Sequence, residues 1–375
     1  MSEIKVNSIV DASGGSTVQV NGFTPSASNM AGRNRIINGD MRIDQRNAGA
    51  SVTPVDSTGT YTLDRWRAYE STDGSITVQQ NSLAPAGFTN SLKVTVATPD
   101  ASLAATQQSK IEQIVEGFNV ADFVWGTANA KTVTLSFWVQ SSLTGTFGGA
   151  FQNSIGTRSY PFTYTINSVD TWEYKTVTIQ GDTTGTWLNT NDAGIRVAFA
   201  FGAGADRSGT AGAWNSNNNV SATGATNLMA TSGATFYITG VQLEEGSVAT
   251  PFCPAGGGSY GQELALCQRY FYKEENSTYH VALLDGSAGD YPEAWVTHPV
   301  QMRAAPTATF ENIASFYYNT GSGSTSFTPS GGTTSYAGNT RIGYAIRNAI
   351  SNSPGTTHNQ KAGQWYVQLS FSAEL

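Results

Sequence analysis

The sequence predicts an all-β protein, a jelly-roll β-sandwich followed by a smaller β-sandwich domain, with one short helix between them. Three observations predict it. Apolar residues alternate strictly along short segments: Leu92, Val94 and Val96; Val133, Leu135, Phe137 and Val139; Ile195, Val197, Phe199 and Phe201; Trp365, Val367, Leu369 and Phe371. A period of two marks strands with one buried face. Much of the remainder is Gly, Ser, Thr and Asn, the residues of turns; although only 13% of residues are charged, 39% are hydrophobic and 11% aromatic, enough to bury real cores. Only residues 262–271 string together good helix formers.

A chain of 375 residues has room for two or three domains. A net charge of −7 with 20 basic residues leaves no electrostatic footprint for nucleic acid or an anionic membrane, so neither is an expected partner. Cys253 and Cys267 make no disulfide framework and, with no Cys/His cluster beside them, no zinc site; both are expected as free thiols. The N-terminal residues lack the apolar centre of a signal peptide, and no apolar run approaches the roughly 18 residues of a membrane helix. The expectation is a chain made and folded in a cytoplasm, without an export signal of its own.

In order, residues 1–32 carry alternating apolar points, Ile4, Val6, Ile9, Val18 and Val20, too few for a core. An isolated hairpin is marginal, so this segment is expected to be completed by neighbouring chains. In residues 34–46, NRIINGDMRIDQR, Asn38-Gly39 signals a turn between two short strand-like pieces. Residues 61–66, YTLDRW, follow. Asp40, Asp44 or Asp64 could hold a cation, but no dense oxygen-rich loop is present; the plainer reading makes Asp64 and Arg65 turn and surface groups and Trp66 core. The alternating strands then occupy the chain to about residue 250, and their phase slips at Gly240, the mark of a β-bulge. Many short antiparallel strands with long connections predict a jelly-roll sandwich over residues 33–252. The Gly- and Asn-rich connection 202–233 has Trp214 in its middle, able either to stack on a sugar ring or to pin the loop to its own sandwich.

Residues 253–275 are read as a linker and a short helix. Pro251, Pro254 and three glycines end the sandwich. In the helix, Leu264, Cys267 and Phe271 fall on one stripe and Leu266 and Tyr270 on a second. So short a helix with two apolar sides needs two sets of partners, which packing of one helix per chain about a symmetry axis would supply.

Residues 276–375 return to strands, with residues 307–310 and 315–319 read as a pair. Outward aromatics beside Asn, Ser and Gly loops suit recognition of a polar glycan surface. The candidates are Tyr291, Trp295, Tyr317, Tyr318 and Tyr336, with Trp214 of the sandwich, against ordinary β-propensity as the bland reading. No catalytic or phosphate-loop motif appears, and His280, His298 and His358 are scattered. Glu244 and Glu245 are neighbours, and on a strand neighbours face opposite sides; Glu245 is read as the strand end. No catalytic residue, metal or cofactor is expected.

Taken together, residues 34–46, 61–66, 236–246 (FYITGVQLEEG), 263–271 (ELALCQRYF) and 299–307 (PVQMRAAPT), with the ending Ser372 to Leu375 and the start at 3–9 (EIKVNSI), resemble tail fibre proteins of bacteriophages, including those of cyanobacterial and marine phages. The resemblance covers nearly the whole chain. It implies a homotrimer in the phage virion, released by host lysis. Its N-terminal segment would dock to the tail or baseplate, its jelly roll would be like a carbohydrate-binding module, and a C-terminal tip would bind a host surface glycan or other envelope component. The rival readings are a tailspike-like enzyme that degrades surface polysaccharide, for which no regular β-helix repeat is found, and a purely structural spacer.

Overall fold

The computed structural model describes residues 32–54, 58–274, 277–282, 293–319, 324–327, 343–347 and 362–375. The attachment segment expected at 1–32 therefore lies outside the described residues, apart from Gly32. The chain forms two compact units, one running to Glu263 and the other from Leu264 to Glu374.

The first unit is the sandwich. Its strands are β1 Thr60–Leu63, β2 Trp66–Glu70, β3 Ser75–Asn81, β4 Ser91–Thr98, β5 Gln108–Glu116, β6 Val133–Ser141, β7 Gly145–Gln152, β8 Ser159–Ile166, β9 Glu173–Ile179, β10 Ala193–Ala203, the short β11 Ser208–Gly209 and β12 Ser221–Ala222, and β13 Thr235–Glu245. One sheet has six strands in the order β1-β2-β5-β10-β7-β8; the other has five, β3-β4-β13-β6-β9. Within them the orders β5-β10-β7-β8 and β4-β13-β6-β9 are the winding of a jelly roll. The predicted inward faces meet between the sheets: Val133, Leu135, Phe137 and Val139 of β6 and Val197, Phe199 and Phe201 of β10 are all fully buried. Phe137 sets its ring edge-on to Phe199 and to Tyr164, each at 5.0 Å. In β13 the register against β6 shifts between Thr239 and Gln242, and Gly240 takes φ +62°. The bulge foreseen from the phase slip is therefore present.

Two expectations need correction here. Residues 34–46 form turns, not strands. Their backbone makes two bonds to β13, Arg35 to Leu243 and Val241 to Gly39, both at 2.9 Å, and is otherwise held by side chains. Gln113 bonds both the amide and the carbonyl of Ile37, and Asn38, at φ +55°, bonds both groups of Ile43. Asp64 and Arg65 do sit at a turn, but both are buried. Asp64 accepts from the Gln45 amide and side chain at 2.6 Å, and Arg65 donates to the Ile114 carbonyl. Trp66 is core, as expected, and its Nε1 donates to the Asn38 carbonyl at 3.0 Å.

Residues 34–46 bond to the end of β13 and to Glu263. Asn34 caps the amides of Ile36 and Leu243 and donates to Val241 and Cys253. Glu244 accepts from Thr250 and from Gln242, while Glu245, the end of β13, pairs with Lys131. Glu263 accepts from the amides of Asn38 and Gly256, both at 2.5 Å. Burial pushes the Glu263 carboxyl above its ordinary value.

The helix, α1, runs Tyr260–Gln268. Tyr270 and Phe271, expected on it, lie beyond its end, because Phe271 opens β14 (Phe271–Lys273) by pairing with Ser372. Aromatic residues suit that edge better than another helical turn. Cys267, Tyr270 and Phe271 are buried in the single chain, whereas Leu264 and Leu266 are partly exposed.

The second unit also holds β15 Ser277–Ala282, β16 Glu293–Thr297, β17 Thr307–Asn319, β18 Ser324–Phe327, β19 Gly343–Arg347 and β20 Ala362–Ser372. With β14 they make one seven-stranded antiparallel sheet. Residues 307–319 are a single strand along β20, not a pair; register shifts at Phe310/Asn312 and Ile313/Ser315 absorb the change of phase that reads as a break.

Candidate functional site

At the end of the sandwich where β5 finishes and β10 begins, two connections meet. One, residues 117–131, contains the single-turn helices Gly117–Asn119 and Ala121–Phe123. The other, residues 180–192, joins β9 to β10. Backbone bonds lace them together: Gly117 to Asp192 at 2.8 Å, Phe118 to Thr190 at 2.8 Å and Gly126 to Asp182 at 2.7 Å. Gly126 holds φ +84°, and a Cβ there would lie 2.8 Å from the Gly185 carbonyl oxygen, so only glycine lets the loops come this close.

Between them is a cleft of about 380 Å³, lined by Trp125 and Trp187 with Val124, Thr127, Thr186 and Asn189 among its other walls. Trp125 is the buried floor. Its Nε1 donates to the Lys131 carbonyl at 2.8 Å, and the Trp187 ring stands edge-on to it at 4.8 Å. Trp187 is half-buried and donates to Asp182 at 3.2 Å. Asp182 is fixed in turn by Arg158, through bonds of 2.8 and 2.6 Å. Burial works against the charge on Asp182, but Arg158 outweighs it and holds the carboxyl below the usual carboxylate range. Trp187 is thus oriented by a fixed partner before any ligand arrives.

The rim is polar and partly unoccupied. Asn189 is exposed, and its side-chain amide has no partner among the described residues. Val124 sits at φ +48° with its side chain 38% exposed. A β-branched residue in the left-handed region is strained, and strain of this kind gathers at functional positions. An apolar floor with a few convergent polar groups is the form of a small-ligand site.

Trp214 stands behind this cleft. Its ring packs edge-on against Trp125 at 5.2 Å, Trp187 at 5.3 Å and Tyr160 at 5.2 Å, and its Nε1 donates to the Gln180 carbonyl at 2.7 Å. It pins the long connection to its own sandwich. Of the other candidates, Trp295 lies in β16 opposite Ala345, and Tyr317 and Tyr318 lie in β17 opposite Gln364 and Gly363, all in the second unit. Tyr291 and Tyr336 lie outside the described residues. Asp44 accepts from the amides of Asn47 and Gly49, and Asp40 pairs with Arg42, so with Asp64 each of the three aspartates already has protein partners. The cleft itself escaped the sequence reading. Its only local signal is a tryptophan beside glycine twice over, Trp125-Gly126 and Gly185-Thr186-Trp187.

No family model matches the chain, and no curated protein matches it. Solved structures do. The enzymatically active domain of tailspike protein 4 of bacteriophage CBA120 is 13% identical, with a TM-score of 0.30 over 56% of this chain and 21% of that one. A protein of Bacteroides thetaiotaomicron described as sugar-binding is 11% identical over 57% of this chain and all of its own, at a TM-score of 0.32. The family 11 carbohydrate-binding module of Clostridium thermocellum, solved with a mixed-linked tetrasaccharide, is 13% identical over 53% of this chain and 98% of that one, at 0.27. The chain thus spans about a fifth of the tailspike domain. The jelly-roll assignment rests on the strand order, not on these similarities.

Proposed function

We propose that this chain is a glycan-binding protein of a phage tail fibre, and that its sandwich takes a short stretch of surface polysaccharide into the cleft between Trp125 and Trp187. The observation that carries this reading is Trp187. It is an indole held at fixed orientation by Asp182, half-open, beside the unpartnered amide of Asn189. A flat apolar face with free donors and acceptors beside it suits a sugar ring and its hydroxyls. The reading is of binding without cleavage, since no carboxylate pair of the kind glycoside hydrolysis uses lines the cleft.

In the same proposal three copies associate through α1, whose Leu264 and Leu266 keep apolar surface that one chain does not cover. The fibre joins the tail by its N-terminal segment and is released by lysis. These elements rest on the order of motifs that resembles tail fibres. Three weak cleft sites on one particle gain avidity.

The test is a panel of bacterial surface polysaccharides in affinity electrophoresis, repeated with Trp187→Ala. Loss of this half-buried aromatic anchor is expected to weaken binding by about 2 kcal/mol, roughly 30-fold. Equal retardation of the variant, or no retardation of the wild type by any polysaccharide, would sink the proposal.

A further inference from the structure

At the end of the sandwich opposite the cleft, β2 and β10 finish and β5 begins. Three buried oxygens without partners come from neighbouring positions there. Ser109 of β5 stands between Glu70 of β2 and Gly202 of β10 in the register of the six-stranded sheet. Ile111 and its partner Ala68, two residues along, belong to the core, so Ser109 and Glu70 share the inner face. Gly202 has no side chain, and Asn227 takes up the space: a Cβ on Gly202 would lie 2.9 Å from Asn227 Oδ1. Glu70 Oε2, Ser109 Oγ and Asn227 Oδ1 are all shielded from water, and none has a hydrogen-bond partner among the described residues. Ser109 is fully buried and Glu70 only 8% exposed.

Three connections close this place. In residues 71–74, Thr72 donates to Glu70 Oε1 from its amide at 2.8 Å and from its hydroxyl at 2.6 Å. The Asp73 amide donates to Asp100 Oδ2 at 3.1 Å, which brings a second buried carboxylate to the same turn. Asn227 Nδ2 donates to the Asp100 carbonyl at 3.2 Å, and the Asp100 amide donates to the Met229 carbonyl at 2.7 Å. The buried Met229 side chain reaches from Gly202, where its Cγ would lie 3.2 Å from an added Cβ, to Gly74, where its Cε would lie 3.1 Å from one. Neither Glu70 nor Asp100 makes an ion pair among the described residues. Buried carboxylates are ordinarily paired with a cation or coordinate a metal. A buried water could bridge these oxygens, but it would leave both charges uncompensated.

We propose that Glu70, Ser109 and Asn227 bind a calcium ion, with the Asp100 carboxylate in the wall of the site as a second negative charge. Every free donor atom here is an oxygen, which suits a hard cation and not a transition metal. Calcium accepts irregular sets of carboxylate, amide and neutral oxygens, whereas magnesium demands a near-ideal octahedron and gives up its water reluctantly. With a single carboxylate in direct contact, the affinity is expected to be on the order of 0.1–1 mM. The ion ties β2, β5 and the connection that leads into β13 to one another, and so fastens both sheets at this end. The site is independent of the tryptophan cleft and of what the cleft binds.

The experiment strips the full chain with EDTA, removes the chelator, and follows thermal unfolding in about 10 mM CaCl2, roughly 10- to 100-fold above the expected affinity. Magnesium chloride at the same concentration and sodium chloride at the same ionic strength run beside it. Calcium is expected to raise the melting temperature of the sandwich by about 3 °C or more, magnesium by less and sodium not at all. Glu70→Gln is expected to abolish the calcium shift, and without calcium to melt no lower than wild type, because it removes an uncompensated buried charge. A carboxylate with only a structural role would lower the melting temperature in both conditions. Ser109→Ala is expected to weaken calcium roughly threefold or more in calorimetric titration with CaCl2. Asp206→Asn, at an exposed carboxylate on another connection, and Trp187→Ala should both keep the wild-type calcium shift. No calcium shift, an equal shift in sodium chloride, or a calcium shift retained by Glu70→Gln overturns the proposal. If Glu70→Gln does not fold, undiminished calcium affinity in Ser109→Ala overturns it.

Discussion

Asn38 is the residue through which the structure is most easily challenged. It is fully buried, and its side chain makes three hydrogen bonds: Nδ2 to the carbonyls of Ile43 at 2.8 Å and Asp64 at 3.0 Å, and Oδ1 from the Ile43 amide at 3.0 Å. Replacement by alanine leaves three backbone groups unpaired in a dry site, each at about 1–3 kcal/mol. Alanine must also hold φ +55°, which adds about 1 kcal/mol. The total of about 4–10 kcal/mol is comparable with the whole stability of an ordinary domain. Asn38→Gly loses the same bonds without the backbone strain and should be about 1 kcal/mol milder. Guanidinium unfolding, followed by tryptophan fluorescence and by circular dichroism, reads both. An alanine variant within 1.5 kcal/mol of wild type, or a glycine variant worse than alanine, would refute this account of the turn.

Glu112→Gln removes the counter-charge from two buried cations and is expected to destabilise the sandwich by about 3–5 kcal/mol in chemical denaturation. Burial opposes the charge of Glu112, but Lys110 and Arg67 outweigh it and hold its carboxyl at about 2, against an ordinary value of 4.5. Stability from this group is therefore complete above pH 4.5 and lost as pH falls from there towards 2; over that window Glu112→Gln should lose less than wild type. Val124→Gly relieves the left-handed backbone and should raise stability by about 0.5–1 kcal/mol in thermal unfolding, while affinity for the glycan proposed to enter the cleft should fall with the loss of an exposed contact. Leu264→Asp should abolish the proposed trimer in light scattering or unfold the second unit, with the sandwich intact; an unchanged oligomer would remove α1 from the proposed axis.

How much of this was legible depended on whether the information was local. The inward faces of β6 and β10 are local: a period of two in one stretch of chain states which residues are buried, and Phe137 and Phe199 are where that pattern puts them. Gly240 is local too, since a bulge must shift the phase of its own strand. The turn at Asn38 was half legible. Asn-Gly announced it, but the same motif ordinarily joins two strands, and here its neighbours are held by Gln113 and Glu263, remote in sequence. The helix end failed for the same reason: Tyr270 and Phe271 have a helical spacing, and only the remote partner Ser372 turns Phe271 into a strand.

The cleft and the charged face of β5 were the least legible, and the cause is the same. Trp125 and Trp187 come from loops whose meeting depends on the jelly-roll winding, and no periodicity marks them. In β5, Lys110, Glu112 and Glu116 alternate with apolar residues and read as a solvated face. Only the cross-strand register, which sets Arg67 and Arg196 on either side, shows that face as a cluster in which Glu112 is buried between Arg67 and Lys110. A sandwich fixes its core by pattern within strands and its binding surfaces by pairing between them. The aromatics that stood out in the sequence, Trp214 above all, stood out because they are large, and large rings inside a β-sandwich go first to packing. Trp187 and Trp214 are both half-buried, but only Trp187 lines the cleft, and that difference is what makes it the residue to mutate first.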